Sequence, residues 1–240
     1  RGKQRVLDGV SETLCQGEVV AIMGENGSGK TTLIEAFAGL IPLRSGDVIW
    51  SEDENSIVVR DSQGRRNQPP SMGLTLQKGG VCGDETVMER ISVSLSVAGI
   101  EHNDHQIMEL LSQWGLEHRA NDRLAHLSGG LGRRVAILGG LAPAALSNSP
   151  LVVLLDEPSE GLDDSAKDTL RSWIRSLSSR NHAILMATHD KDISSCADRI
   201  LTIKDGSLEE HEGESLGEIC DLPQSVEIGN QTPISSLIKW

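Results

Sequence analysis

Residues 24–32 of this chain read GENGSGKTT and join two segments of different character. The segment before them, 18–23 (EVVAIM), is a short apolar run typical of a strand, whereas the following TTLIEAFAGL has the pattern of a helix. The loop matches G-x-x-x-x-G-K-[ST], in which successive backbone N–H groups point at phosphate oxygens. The sequence therefore predicts a phosphate-binding loop between a strand and a helix.

The side chains of this loop suit a nucleotide with a metal ion. Gly27 and Gly29 permit the tight turn, Lys30 supplies a fixed charge for the β- and γ-phosphates, and the Thr31 hydroxyl is placed to bind Mg²⁺. A plain glycine turn is the alternative, but Lys30 and Thr31 together favour phosphate binding. The predicted nucleotide-binding residues of the loop are Gly24, Glu25, Asn26, Gly27, Ser28, Gly29, Lys30, Thr31 and Thr32.

Three further apolar runs, 151–156 (LVVLLD), 182–189 (HAILMATH) and 198–206 (DRILTIKDG), are typical of parallel strands covered on both faces. The pattern of 75–147 is mostly helical, which predicts a helical subdomain inserted into an α/β core. We divide the chain into a first core part, the inserted subdomain, a second core part and a solvated tail. The boundaries are 1–74, 75–147, 148–208 and 209–240.

Two acidic residues end the second apolar run, in LVVLLDEP. Ligands of open α/β sheets bind at the carboxyl ends of strands, so Asp156 is predicted to be a Mg²⁺ ligand and Glu157 to polarise the attacking water. Both could instead form a turn before Pro158, but the phosphate loop favours the catalytic role. The loop alone would also fit small-molecule kinases and GTPases.

The net charge, the cysteine spacing and the length of the apolar runs limit the classes of protein to which the chain can belong. The net charge of −13 and pI near 4.9 argue against a nucleic-acid partner, which would require a field of Lys and Arg. The four cysteines are far apart and are expected to be separate reduced thiols. No apolar run approaches the roughly 18 residues of a membrane span. We expect a cytoplasmic protein, peripheral on a membrane if a partner supplies the spanning part.

Residues 127–134 read LSGGLGRR, which resembles the LSGGQ signature of the ATP-binding-cassette (ABC) ATPases. Alone, LSGG would be a helix start with a Ser cap. The order of phosphate loop, signature, DEP carboxylates and strand-end His is similar to the family over about 1–208. The resemblance implies an α/β fold with a P-loop NTPase core, a mainly parallel sheet and an inserted α-helical signature subdomain.

The resemblance also implies ATP and Mg²⁺ as ligands and a head-to-tail dimer with a second ATP-binding subunit, identical or not. Each ATP then lies between one phosphate loop and the partner's signature, where Ser128, Gly129 and Gly130 offer a hydroxyl and N–H groups. Leu131 replaces the usual Gln, which removes an amide side chain but no backbone donor. We expect an altered closing affinity.

Three more positions carry over from the family. Gln77 matches the glutamine that touches Mg²⁺ or the attacking water, so the implied metal ligands are Thr31, Gln77 and Asp156. His189, in MATHD, matches the histidine that holds the γ-phosphate and orients Glu157, although a lone His is often structural. Asp163, in SEGLD, matches a loop that contacts the opposite subunit, although EGL can be an ordinary turn.

The expected function is ATP hydrolysis that drives transport through a separate transmembrane permease subunit. A non-transport ABC ATPase acting on a macromolecular complex is the alternative, which the acidic charge and the short separation of Lys30 from Ser128 oppose. The stretches RGKQRVLDGVS and AGLIPLRSGDVIW resemble the haem exporters of cytochrome c maturation. No aromatic residue lies in 1–36, so either the stacking residue is missing or Arg1 covers the adenine.

Overall fold

The computed structural model describes residues 7–52, 55–77, 83–210 and 238–239. Arg1 lies outside these ranges, as do most of the tail and most of the segment 78–84, which reads KGGVCGD and is rich in glycine. The described strands are β1 (Ser11–Glu12), β2 (Val19–Met23), β3 (Asp47–Glu52), β4 (Asn55–Asp61), β5 (Met72–Thr75), β6 (Val152–Asp156), β7 (Ala183–Ala187), β8 (Arg199–Lys204), β9 (Ser207–Glu210) and β10 (Ile238–Lys239). The described helices are α1 (Lys30–Phe37), α2 (Val87–Val97), α3 (Asp104–Gln113), α4 (Gly129–Leu146), α5 (Asp164–Ser178) and α6 (Lys191–Ser194), with 3₁₀ turns at Glu117–Arg119 and Leu124–His126.

The main sheet has the strand order β5-β6-β7-β2-β8-β9, and its first five strands are parallel. Successive side chains of β2 enter opposite hydrophobic clusters: Val19 and Ala21 pack with α2–α5, and Val20 and Ile22 pack with α1. Burial on both faces is why these strands are apolar without alternation. The predicted α/β class with a mainly parallel sheet is confirmed.

The last apolar run forms a hairpin rather than one strand. Asp205 and Gly206, both with positive φ (51° and 84°), connect β8 to the antiparallel β9. Asp-Gly is a preferred pair for a two-residue turn of this kind, so the sequence itself carries a signal for this hairpin. The hairpin carries the core to Glu210, so the boundary predicted at 209 falls inside a strand.

A second, antiparallel sheet of order β1-β10-β3-β4 was not predicted. Its hairpin β3–β4 buries Trp50, whose Nε1 donates to the carbonyl oxygen of Phe37 in α1 at 3.2 Å. Two residues assigned to the solvated tail, Ile238–Lys239, form β10 between β1 and β3. Unpaired strand edges accept such an addition, so this part of the tail prediction is wrong.

The predicted helical subdomain contains α2, α3 and α4, and its proposed limits fall at the end of β5 and just after α4. Thr86 and Asn103 begin α2 and α3 with reciprocal capping boxes. Two glycines let α4 approach β5: a Cβ at Gly73 would collide with the Gly140 carbonyl oxygen, and a Cβ at Gly140 with the Thr75 hydroxyl. The division into subdomains stays a prediction. Within the described residues, no helix has the length and apolarity that crossing a membrane requires.

Candidate nucleotide-binding site

A cavity of about 460 Å³ lies where β2 meets α1 and β6 ends. The sequence predicted most of its walls, since the phosphate loop, one strand-end carboxylate and Gln77 all contribute. Two lining residues were not predicted, Glu35 and Leu76. The lining residues are Asn26, Gly27, Gly29, Lys30, Thr31, Thr32, Glu35, Leu76, Gln77 and Glu157.

The phosphate loop turns through a glycine directly before α1. Gly29 is the N-cap of α1 with φ 116°, a left-handed conformation that favours glycine. No side chain caps this end of α1. Its N–H groups and the positive end of the helix dipole therefore face the cavity, which suits an anion.

Lys30 is buried in the cavity wall and is held by the loop that precedes it. Its Nζ donates to the carbonyl oxygens of Gly24 at 2.8 Å and Glu25 at 3.3 Å. It also lies 3.4 Å from Oε1 of Glu157. The charge of Lys30 is thus held in the cavity wall and is balanced by the buried carboxylate of Glu157.

Glu157 lies at the centre of the charged groups. Its Oε1 faces Lys30, and its Oε2 lies 2.8 Å from Nδ1 of His189. Because an ionised carboxylate only accepts hydrogen bonds, Nδ1 carries the proton in this contact. The predicted grouping of Lys30, Glu157 and His189 is present in the structure, although His189 is mainly exposed and the other two are buried.

The backbone of Glu157 adopts an unusual conformation, with φ 48°. A left-handed conformation costs a residue with a Cβ about 1–2 kcal/mol, so the surroundings must hold it. One restraint is the backbone N–H of Glu157, which donates to the Ala187 carbonyl oxygen at 2.8 Å. This bond links the end of β6 to the end of β7, immediately before the loop that carries His189.

Asp156 has the properties of a metal ligand. Its carboxyl is fully buried, and neither oxygen makes a hydrogen bond of normal geometry with a described residue. Burial raises the pKa of this carboxyl, although the neighbouring Thr31 hydroxyl and Gln77 backbone N–H oppose that change. A buried carboxylate without a partner is costly, and a carboxylate beside a hydroxyl suits Mg²⁺. Asp156 and Thr31 therefore fit the predicted cation.

Gln77 lines the cavity, but its side chain is engaged elsewhere. The Nε2 atom donates to Oε2 of Glu160 at 3.1 Å, in the loop that follows the carboxylates. The predicted role of Gln77 as a metal ligand stays a prediction. In the described residues, no cluster of three or more His, Cys, Asp or Glu side chains forms a metal site.

The signature residues lie outside this cavity as far as the structure describes it. Ser128 is the N-cap of α4, and its Oγ accepts from the Leu131 N–H at 3.4 Å. Ser128 and Gly129 are exposed, and Gly130 is half-buried. The side chain of Leu131 is half-buried against the hydrophobic cluster around α2–α5. Its expected effect on closing affinity stays a prediction.

Asp163 links the loop after the carboxylates to the signature helix. Its Oδ1 caps α5 by accepting from the Ala166 N–H at 3.0 Å, and its Oδ2 accepts from Nη2 of Arg134 at 2.6 Å. Asp163 therefore does more than form a turn. The predicted contact with an opposite subunit stays a prediction.

Besides Leu76, three residues at or near the cavity were not predicted from the sequence. Glu35 follows Thr31 by one helical turn and so lines the same side, a signal that helical periodicity provides. Glu160 receives the hydrogen bond of Gln77. Arg133, on α4, donates to backbone carbonyls of both catalytic loops. No sequence pattern distinguishes these last two, because their contacts depend on how α4 packs against the sheet.

A parallel sheet with a glycine-rich phosphate loop after one strand and paired carboxylates after another defines a P-loop nucleotide-binding protein. The family of the chain follows from its sequence, since residues 7–160 match the family described as ABC transporter. The chain therefore belongs to the ABC transporter family. The class predicted from the motifs, an ABC-type ATPase with an ATP-binding cassette, is confirmed.

Similar curated proteins carry the description "Macrolide export ATP-binding/permease protein MacB". The protein of Psychrobacter cryohalolentis is 33% identical over 207 residues, which are 85% of this chain and 30% of that protein. That of Vibrio parahaemolyticus is 31% identical over 205 residues, again 85% and 30%. This chain thus spans about a third of the length of these relatives.

Solved structures share the fold. One described as a dimeric bacterial ABC transporter cassette, MJ0796, has a TM-score of 0.74 at 24% identity, over 91% of this chain and 95% of that chain. The structure of MJ0796 described as a post-hydrolysis state bound to ADP and Pi has a TM-score of 0.75 over the same shares, also at 24% identity. At this identity the likeness establishes the fold alone.

Proposed function

We propose that this chain hydrolyses Mg²⁺-ATP and drives transport through a transmembrane permease partner. The observation that carries the proposal is the position of the Glu157 carboxylate, between buried Lys30 and His189 at the edge of the cavity. A carboxylate so placed can accept a proton from water next to a phosphate that the loop holds. An anion-binding helix end, a fixed cation and a base meet in one cavity.

Binding begins with an exchange of partners at Lys30. Its Nζ lies 3.4 Å from the Glu157 carboxylate and also donates to two loop carbonyl oxygens. The γ-phosphate carries more negative charge than one carboxylate, so Lys30 turns its charge to the phosphate. The exchange frees Oε1 of Glu157 to face the attacking water.

The Thr31 hydroxyl and the Asp156 carboxylate would hold the cation, and Gln77 is the third proposed ligand. A bound Mg²⁺ supplies neutralisation of the charge that develops on the phosphate oxygens. Asp156 is pre-placed for this role because its oxygens are buried, make no hydrogen bond of normal geometry with a described residue and lie beside the Thr31 hydroxyl. His189 orients Glu157 through Nδ1 and leaves Nε2 to meet the γ-phosphate.

The exposed signature supports a second cassette as partner. Ser128 and Gly129 present a hydroxyl and a helix start to solvent rather than to the cavity of their own chain. A second copy or a related cassette, placed head to tail, would bring them against ATP. The dimeric cassette that shares this fold supports this arrangement. We place the assembly on the cytoplasmic face of a membrane.

Transport is favoured over action on a macromolecular complex by the matched family and by the acidic charge. The relatives named for macrolide export do not decide the cargo, because the matched share of each is about a third. Export of haem stays a prediction from short stretches of sequence. No nucleic-acid partner is proposed, since the charge opposes phosphate-backbone contacts.

The test measures phosphate release by the purified chain with and without Mg²⁺, and then after co-expression with a candidate permease chosen from the neighbouring genes. We expect Mg²⁺-dependent hydrolysis, and co-purification with the membrane protein in detergent. Absence of hydrolysis in both preparations would contradict the ATPase role. Hydrolysis together with co-purification of ribosomes or a soluble complex, and no membrane protein, would favour the non-transport alternative.

A further inference from the structure

Arg133 of the signature helix α4 joins the two loops that carry the catalytic groups. Its Nη1 donates to the Leu76 carbonyl oxygen at 3.2 Å, directly before Gln77. Its Nη2 donates to the carbonyl oxygens of Asp156 at 3.1 Å and Glu157 at 2.6 Å. All three hydrogen bonds to described residues therefore end on backbone atoms, and the shortest ends on Glu157.

The guanidinium is half-buried at this junction. Burial lowers the pKa of Arg133, and the nearby carboxylates of Glu160, Asp156 and Glu157 oppose that change. A partly desolvated guanidinium needs acceptors for its donors, and its planar fork can bridge acceptors that a single ammonium cannot. Here Nη1 and Nη2 have backbone acceptors, whereas the buried Nε has none among the described residues. The Arg133 side chain therefore links the loop before Gln77 to the loop of Asp156 and Glu157 and restrains the position of both loops.

Hydrogen bonds hold both the N–H and the C=O of Glu157, a residue with an unusual φ angle. Its N–H donates to the Ala187 carbonyl oxygen at 2.8 Å, and its C=O accepts from Arg133 at 2.6 Å, while φ is 48°. The backbone direction at Cα decides where the side chain points. In this conformation the carboxylate lies between Lys30 and His189.

We propose that Arg133 is a positioning residue for hydrolysis, which holds the Glu157 backbone in the left-handed conformation that aims its carboxylate into the cavity. The inference rests on the proposed role of Glu157 as the base that accepts the proton of water. Arg133 touches neither nucleotide nor water in this scheme and acts through Glu157. Because it lies on α4, any shift of the signature end of this helix would also be felt at Glu157.

The test compares Arg133→Ala with Arg180→Ala, a matched control. Arg180 also donates to two backbone carbonyls, those of Ala145 and Ser147, both at 2.9 Å, but at the far end of α4. We expect Arg133→Ala to lower kcat by at least about 10-fold, part of the 10²–10⁴ that a general base supplies. Its dissociation constant for ATP should change less than about 3-fold. Arg180→Ala should lower the unfolding midpoint but keep kcat.

A double variant shows whether Arg133 acts through Glu157. If it does, adding Arg133→Ala to Glu157→Gln should slow the residual turnover little further, because the aimed carboxylate is already gone. Additive losses, or equal losses of kcat and affinity, would assign Arg133 a general structural role and overturn the proposal. Full activity of Arg133→Lys would contradict it too, since one ammonium group cannot bridge both loops.

Failure of this inference can be told from failure of the proposed function. If the wild-type chain hydrolyses ATP and Glu157→Gln is slow, but Arg133→Ala keeps its kcat, only the positioning role of Arg133 is wrong. If Glu157→Gln hydrolyses ATP as the wild type does, the proposed base itself is wrong. Thermal unfolding of each variant, followed by circular dichroism, verifies that the compared proteins are folded.

Discussion

The Nζ atom of Lys30 lies 3.4 Å from Oε1 of Glu157, so the cation of the phosphate loop is paired with the carboxylate of the proposed base. Both side chains are buried, with about 7% and 5% of their surface exposed. A buried charge without a partner is costly, and in this pair each charge offsets that cost for the other. A nucleotide must therefore replace one carboxylate contact with a phosphate contact.

Replacing Lys30 with Ala should reduce kcat/KM for ATP by at least about 10²-fold, or roughly 2.7 kcal/mol of transition-state stabilisation. The γ-phosphate would lose its fixed charge in a site whose other loop donors are neutral N–H groups. Steady-state phosphate release at varied ATP measures the loss. Lys204→Ala, an exposed lysine at the end of β8, is the control and should be unchanged. Turnover of Lys30→Ala at the wild-type rate would refute the assignment.

Glu157→Gln keeps the size of the side chain but cannot accept a proton, so turnover should fall by about 10²–10⁴. Nucleotide binding should survive. If each ATP is clamped between a phosphate loop and the opposite Ser128–Gly130, slow hydrolysis traps the closed pair. Sedimentation should then show a dimer with Mg²⁺-ATP and a monomer with ADP. A variant that stays monomeric with saturating Mg²⁺-ATP, alone and with the membrane partner, would contradict the clamp.

His189→Ala should lower kcat more than it weakens ATP binding. The imidazole orients Glu157 through a 2.8 Å contact and is mostly exposed, so its loss leaves the loop and Lys30 in place. Single-turnover kinetics separate the chemical step from binding. His105→Ala is the control, because this histidine is exposed on α3. Equal losses in affinity and turnover would indicate a structural histidine.

Gly140→Ala should destabilise the fold by about 1–3 kcal/mol, the usual range for overpacking. Its new Cβ would collide with the Thr75 hydroxyl and lie 3.0 Å from the Leu74 carbonyl oxygen. Gly132→Ala is the matched control on the same helix, where a Cβ meets nothing within 4 Å. That change should stabilise α4 by about 0.5–1 kcal/mol through helix propensity. Chemical denaturation measures both, and a neutral Gly140→Ala would contradict the close packing described above.

Stability should fall in mild acid because of His182. The Nδ1 atom of this buried histidine accepts from the Leu151 N–H at 3.0 Å, and burial together with the charge of Arg180 lowers the pKa of the imidazole below 6.5. The lowered pKa means that the folded state prefers the neutral ring. The stability from this ring is thus complete above the pKa of the unfolded chain and is lost as the pH falls through the folded-state pKa.

Denaturation midpoints between pH 7.5 and 5 test this expectation. His182→Gln, whose side-chain oxygen can accept the same N–H, should show a flatter pH dependence than the wild type. An identical pH dependence in both proteins would assign the acid sensitivity to other groups.

The sequence predicted those parts of the fold that depend on local pattern. The apolar runs placed the ends of β2, β6 and β7 to within two residues, because strands buried on both faces must be apolar throughout. The glycines of the phosphate loop, together with Lys30, predicted the position of the cavity. The antiparallel sheet was missed, since β3 and β4 are half-exposed and carry no such run.

The parts of the site that were missed depend on contacts between distant segments. Arg133 meets carbonyls 57 and 24 residues away in the chain, and Gln77 meets Glu160 at a separation of 83 residues. The left-handed backbone conformation of Glu157 likewise depends on its neighbours in space, because the sequence Asp-Glu-Pro does not require it. Such relations follow from packing, which a single sequence does not display.

The close approach of Gly140 to β5 makes α4 a lever with its pivot in the sheet. Twelve residues of helix separate this pivot from Ser128, a lever arm of about 18 Å at 1.5 Å per residue. A tilt of about 5° around the pivot would move the signature by about 1.6 Å. A shift of that size is enough to break a hydrogen bond. A tilt of α4 about this contact would therefore displace the exposed Ser128 more than the residues beside Thr75, without any change in the helix itself.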